Sequence, residues 1–242
     1  MRPGDPQQKR VLAAVQAYPA RVDSANLSAP VETTSLTGSL VWLAPLSPDH
    51  VPGLFAAARE DPSLYAWTPV PLTRPDLEAY VQAALCAQAQ GTTMPYAILR
   101  NGTVVGTTRF YSIERWAWPA GHPEHGRRTP DVCDIGYTWL ARSSVRTGVN
   151  TQAKRLLLEF AFGVWRVHRV GFRTDARNAP SRAAIERLGA RLDGCLRAER
   201  AARDGTVRDS VVYSIVAAEW PDARARLHAL EERHSPVPRE GF

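Results

Sequence analysis

The chain has 242 residues, 44% of them apolar and 22% charged, which is enough for one substantial core and ordinary for a globular protein. Its formal charge of +6 comes almost wholly from arginine, since Lys9 and Lys154 are the only lysines. The basic residues alternate with acids, as in RAERAARD and ARARLHALEER, which disfavours a nucleic-acid stripe and suits a basic mouth for an anionic cofactor. No run approaches the roughly 18 apolar residues of a membrane span, and the polar start MRPGDPQQKR disfavours a secretory signal, so the expected location is cytoplasmic. Cys86, Cys133 and Cys195 have neither disulfide nor metal spacing, and are read as three buried or half-buried thiols.

Residues 1–35 are rich in Pro, Ala, Ser and Thr, and are read as an appendage in which KRVLAAVQAY could form a short helix. The core, 36–220, begins with a strand in SLVWLAPL. A helix follows in PDHVPGLFAAARE, with Leu54, Phe55 and Ala58 on one face. Four prolines in 62–75 interrupt regular structure. RPDLEAYVQAALCAQAQ reads as the second helix, stopped at Gly91. PYAILRNGTVVGTTRFY reads as a hairpin turned at Asn101-Gly102. A long loop, 114–131, carries two tryptophans and two histidines.

DVCDIGYTWL is the next strand, AKRLLLEFAF opens a helix over 151–163, and HRVGFRTD is a strand again. A short helix, APSRAAIERLG, leads to a hairpin turned at Asp204-Gly205. Residues 221–242 are read as a last helix, WPDARARLHALEER, and a frayed tail, SPVPREGF. This order predicts a single α/β (α+β) domain, a mixed sheet with one parallel crossover.

Between strand and helix lies SSVRTGVNT, residues 143–151. A helix N-terminus offers unpaired N–H groups and a positive dipole end, hence an anion site. Gly148 allows close approach, Arg146 adds charge, Thr147 and Thr151 add hydroxyls, and Asn150 can cap or donate. A second strand–helix junction contains Asn178, Ser181 and Arg182, and Asn178 could equally be a simple helix cap. Ligands bind at the carboxyl ends of strands in such sheets, so both helix starts are expected to face one cleft.

The run from IGYTWL through VRTGVNTQAKRLLLEFAF and HRVGFRTDARNAPSRAAIERLGARLDG to RDSVVYSIVAAEW resembles the GCN5-related N-acetyltransferases, in particular the branch that acetylates ribosomal-protein N-termini. The resemblance covers about 36–220. It implies a splayed mixed sheet and acetyl-CoA as donor substrate. It also implies pantetheine contacts along 134–140, including Trp139 and Leu140, and a pyrophosphate loop at 145–151 that includes Val145 and Val149. Asn178 matches the family's pantetheine-contacting asparagine. Val145 and Asn150 depart from the usual Gln/Arg-x-x-Gly-x-Gly/Ala pattern, and Leu-Gly-Ala at 188–190 stands where Leu-Gly-Phe is usual. The helix 179–188 lacks the tyrosine that many members use as acid; Ser181 matches the serine of the ribosomal-protein branch.

Acetyl transfer to an amine needs a base and donors for the developing oxyanion. Glu114 and Asp134 are the base candidates, ahead of Glu124, Asp131, His122 and His125; a solvated surface carboxylate is the plain alternative for each acid. The backbone N–H near Leu140 is the oxyanion candidate. Tyr65, Trp67, Tyr111, Trp116 and Trp118 could line the acceptor pocket, or simply pack. No metal is expected, because two histidines fall short of a zinc site. The acceptor could be a peptide N-terminus or a small-molecule amine, and an open edge strand would permit a homodimer. A non-catalytic acyl-CoA-binding module and a nucleic-acid-binding protein are the competing readings.

Overall fold

The computed structural model of the protein describes residues 33–233; the helix expected over KRVLAAVQAY and the tail SPVPREGF lie outside them. In chain order the elements are β1 (Leu36–Thr37), β2 (Trp42–Pro45), α1 (Val51–Arg59), α2 (Arg74–Ala89), β3 (Met94–Arg100), β4 (Thr103–Glu114) and β5 (Val132–Leu140). Then come α3 (Val149–Glu159), β6 (Arg169–Asp175), α4 (Ala179–Arg187), β7 (Arg191–Ala201), β8 (Val207–Val216) and α5 (Trp220–Glu232). The first strand of the core is shorter than SLVWLAPL suggested, because Gly38 and Ser39 turn the chain back to pair Leu36 with Leu43. The proline-rich stretch holds a 3-10 turn, Pro62–Tyr65, capped by the Asp61 carboxylate on the Ser63 amide.

The eight strands form one sheet in the order β1-β2-β3-β4-β5-β6-β8-β7. Every pairing is antiparallel except β5 with β6. The β3–β4 hairpin turns at Asn101 and Gly102, both at positive φ (49° and 77°), as that dipeptide dictates.

Alternation along β4 separates the two faces of the sheet. Tyr80 of α2 reaches Thr107 and Arg109, whereas Lys154 of α3 reaches Thr108. So α1 and α2 cover one face, and α3 with α5 the other. Apolar cores lie on both faces: Leu54, Leu77, Ile98, Phe110, Leu157 and Leu158 are fully buried.

Helix α3 is the keel. It opens at Gly148, whose φ of 87° is in the left-handed region that a side chain would resist. It runs on as a π-helical turn, Phe160–Trp165, past the end expected from sequence. Its Gln152 is buried, and the side-chain oxygen accepts from the amides of Leu40 (2.6 Å) and Val41 (2.8 Å). The Gln152 amide group donates to Ser39 and to Glu231 of α5. Helix α5 buries Ala223 and Leu227 in the same core, and Trp220 stacks on Phe162 at 5.1 Å. Of the cysteines, Cys133 is buried, but Cys86 and Cys195 are exposed, against the buried reading, because they sit on the outer side of α2 and on the edge strand β7.

Gln152→Ala leaves one buried and one part-buried backbone amide without an acceptor. The expected cost is about 2 kcal/mol of stability or more, measured as a lower urea midpoint. An unchanged midpoint would show that water replaces the side chain freely.

Candidate active site

Strands β5 and β6 are paired over only three residues each: Val132 with Arg169, Cys133 with Val170, and Asp134 with Gly171. Beyond that point β5 continues to Leu140 paired with β4 alone, and β6 continues to Asp175 paired with β8 alone. The sheet parts into a cleft whose two walls are strand edges with no strand partner. Bare edges of this kind demand hydrogen-bonding partners.

At the far end of β5 stands the turn 141–148. Glu60 of the chain just after α1 accepts from the Ser143 amide (2.7 Å) and its hydroxyl (3.1 Å). Thr147 donates its hydroxyl to the Ser144 carbonyl (2.8 Å). The next bonded amide of the turn is that of Gln152, which donates to Gly148 O. Between Val145 and Gln152, six consecutive amides, Arg146 to Thr151, find no acceptor among the described residues. Arg146 is exposed with φ 64°, and Val149 and Thr151 are buried. The Asn150 side-chain oxygen is buried without a partner among the described residues. A row of free N–H groups at a helix start is chemically fitted to a pyrophosphate.

The second helix start is tighter. The Asn178 side chain accepts from the Ser181 amide at 3.0 Å, so it caps α4, and its NH2 group has no acceptor among the described residues. The Ser181 hydroxyl is half-buried and without a partner there. Arg182 is engaged elsewhere: it donates to the Tyr213 hydroxyl (3.1 Å) and the Ala176 carbonyl (3.3 Å).

Asp134 lies where the strands part. It is 5% exposed, and its carboxylate packs directly on Gly171, where an added Cβ would come within 2.0 Å of the oxygen. Burial pushes its pKa up, Arg169 (3.9 Å) and Arg173 (4.0 Å) pull it back, and Glu114 adds to the rise. Glu114 itself is exposed at the end of β4, paired with Val132.

A bulge in β5 shapes the floor. Arg109 pairs with Gly136 and Thr107 with Trp139, so β5 has one residue too many between them. Tyr137 takes φ 50° and turns its ring back to the α1/α2 face, where it meets Tyr111 edge-on at 5.2 Å. Tyr111, whose hydroxyl burial pushes its pKa well up, lies over Gly136 and pairs in register with Asp134. Trp139 is buried edge-on to Tyr65 at 5.8 Å. The Tyr65 hydroxyl, its pKa pushed up to about 12 by burial, donates to Leu140 O at 2.9 Å.

On the opposite face Thr138 and Thr108 share a hydrogen bond of 2.8 Å, and Lys154 Nζ donates to both hydroxyls. Lys154 is buried with no carboxylate partner among the described residues, and desolvation drives its pKa down to about 7.

Beyond the end of β6 the Trp67 ring lies 4.6 Å under the Arg177 guanidinium; Asp175 and Asp204 hold that arginine. Arg203 at the β7–β8 tip donates to the Tyr65 carbonyl at 2.8 Å. Trp67 and Tyr111 thus come to the cleft side of the molecule, but Trp116 does not join them. Its ring stacks on His168 at 5.3 Å, beyond the other end of β5, because Asp131 accepts from its amide and from the Trp118 indole. Asp131 is a buried hub there, with Arg127 at 3.9 Å. Sequence reading passed over Arg109, Tyr137, Lys154, Gly171, Arg173 and Arg203. Only a lysine at an apolar helix position was there to be noticed.

Comparison with known proteins agrees with this fold. Residues 41–191 match the family model described as acetyltransferase (GNAT) domain, and the chain belongs to that family. A Bacillus subtilis (strain 168) protein, YdaF, provisionally described as a ribosomal N-acetyltransferase, is 35% identical over 92 residues. That match covers 36% of this chain and about half, 46%, of YdaF. A structure from T. thermophilus, described provisionally as an acetyltransferase, superimposes with TM-score 0.67 at 33% identity, over 83% of this chain and 98% of that one. Mycobacterium smegmatis RimJ in complex with CoA-disulfide shares the fold, with TM-score 0.66 at 23% identity, over 84% and 95% of the two chains.

Lys154 supplies a test of this packing. Its folded pKa of about 7 lies below the roughly 10.4 of an unfolded lysine. The unfolded chain therefore binds the extra proton between those values, and this site's contribution to stability rises with pH across that window. Lys154→Met removes the titration and leaves Thr108 bonded to Thr138. Its stability advantage over the natural chain is expected to be largest below pH 7 and to shrink towards pH 10, read from urea midpoints. An advantage independent of pH would contradict burial of a neutral amine.

Proposed function

We propose that the chain transfers the acetyl group of acetyl-CoA to a primary amine by direct attack on the thioester. The observation that carries this reading is the parting of β5 and β6 at Asp134 and Gly171, with six unpartnered amides at its outer end. The amides of Arg146 to Thr151 suit the pyrophosphate, and their donation does not depend on the side chains of Val145 or Asn150. Asn178, through its free NH2, and the bare edge from Gly136 to Leu140 suit the amide groups of the pantetheine arm. Acetyl-CoA supplies an activated acyl carbon with a thiolate leaving group.

The chain's own part is proton handling and placement. Asp134 takes the proton of the incoming ammonium, for which a carboxylate raised by burial is better matched than a solvated one. Arg169 and Arg173 keep it ionised enough to do so. In this reading Glu114, exposed at the end of β4, passes the proton outward to solvent. Backbone N–H groups near Leu140 are the donors this reading assigns to the developing oxyanion. In this reading the half-buried Ser181 hydroxyl hydrogen-bonds the departing sulfur. The partial match to YdaF, described provisionally as a ribosomal N-acetyltransferase, favours an amine of a protein as acceptor.

The test is thiol release from acetyl-CoA with a panel of N-terminal peptides and small amines, run beside calorimetry of acetyl-CoA. Asp134→Asn is expected to lower kcat by about 100-fold or more while the dissociation constant for acetyl-CoA stays unchanged. Gly171→Ala, which displaces the carboxylate, is expected to act the same way. Full activity in Asp134→Asn would remove it as base. Tight acetyl-CoA binding with no release for any amine would favour a non-catalytic acyl-CoA-binding module.

A further inference from the structure

We infer that Arg109 forms an anion subsite on the acceptor side of the cleft, and that the preferred acceptor is an amine carrying a carboxylate several ångströms from its nitrogen; this rests on the transfer reading above. Arg109 is 7% exposed, yet it has no ion pair and no hydrogen-bond acceptor among the described residues. Its guanidinium is sandwiched between two rings, Tyr137 at 4.1 Å and Tyr80 at 4.9 Å. Stacking holds both faces of the plane and leaves its in-plane N–H donors free. Those nitrogens are not sealed from the surface.

A buried guanidinium without counter-charge is costly to keep, and a structural role would be served as well by an apolar side chain. The other arginines around the cleft are matched differently. Arg173 has Glu199 and Asp134, Arg169 has Asp193 and Asp134, and Arg177 has Asp175 and Asp204. Arg109 alone among these four is left with its charge and its fork both unanswered.

Register fixes what could answer it. Arg109 pairs with Gly136, and Tyr111, two residues on, pairs with Asp134. All of these lie on the α1/α2 face. The amine-facing carboxylate and the cation are therefore diagonal neighbours on adjacent strands, about 7–8 Å apart. An amine at Asp134 would place a carboxylate at Arg109 if the acid is the side chain of the first or second residue of a peptide, or the far end of a short ω-amino acid. The Tyr111 ring over Gly136 lies between the two positions.

The experiment compares matched acceptors that differ only in charge. The peptide Ser-Glu-Ala-Ala-Gly amide is set against Ser-Gln-Ala-Ala-Gly amide, and 6-aminohexanoate against its amide. In the natural chain the acid is expected to win by about tenfold or more in kcat/KM, the size of a charge-assisted fork on a carboxylate. Arg109→Gln should collapse that ratio towards one, mainly through KM, and Arg109→Lys should restore part of it. Unchanged acetyl-CoA affinity by calorimetry shows that each variant folds. Which pair shows the larger ratio tells a peptide side chain from a small amino acid. Turnover without acid preference, or a preference that survives Arg109→Gln, overturns the subsite. If no amine is turned over, the transfer reading fails, and the subsite is then judged by binding of the two peptides to the CoA-saturated chain. Equal affinity for both, in the natural chain and in Arg109→Gln, overturns it there.

Discussion

Three residue pairs hold the parallel junction of β5 and β6 together, and everything about the site depends on their stopping at Asp134 and Gly171. A fourth pair would close the cleft and satisfy the edges that the cleft leaves bare. Each strand instead keeps a full partner on its other side, β4 for β5 and β8 for β6, so the parting costs the sheet little rigidity. Gly171 makes the stopping point tight, since only a residue without a side chain leaves room for the Asp134 carboxylate.

The bulge at Tyr137 adds a second consequence. By shifting the alternation of β5, it gives the two faces of one short strand different chemistry. Tyr137 turns to join Tyr111 and Arg109, while Thr138 turns the other way to Lys154. The α1/α2 face thus gathers aromatic rings and charge. The helix face gathers hydroxyls around a buried amine, a polar contact that ties α3 to the strand at the place where the strand is least regular. Helix α3 in turn ties the turn before β2 and α5 through Gln152, and it presents the amide row at its start.

Much of this was legible in the amino-acid sequence, because it is written in local chemistry. Asn101-Gly102 and Asp204-Gly205 set the hairpins, Gly148 marked the helix start, and the strand–helix alternation in the middle of the chain pointed to one parallel crossover. The resemblance carried by VRTGVNTQAKRLLLEFAF and HRVGFRTDARNAPSR agrees with the family assignment. What stayed hidden is what depends on register. Arg109 looks like any strand arginine until its pairing with Gly136 places it between Tyr80 and Tyr137. Trp116 looked like a cleft residue because it follows β4, yet Asp131 draws its loop to the other end of β5. Arg182 sits at a helix start, but Tyr213, thirty-one positions on, takes its guanidinium.

The central claim is that the row of free amides from Arg146 to Thr151 holds coenzyme A in the gap between β5 and β6. Hydrogen–deuterium exchange with and without saturating CoA tests it most directly. The account predicts slowed exchange concentrated in two segments, 146–151 and 136–140, with the β7–β8 hairpin much less affected. CoA binding without protection in those segments would contradict it and place the cofactor elsewhere on the molecule.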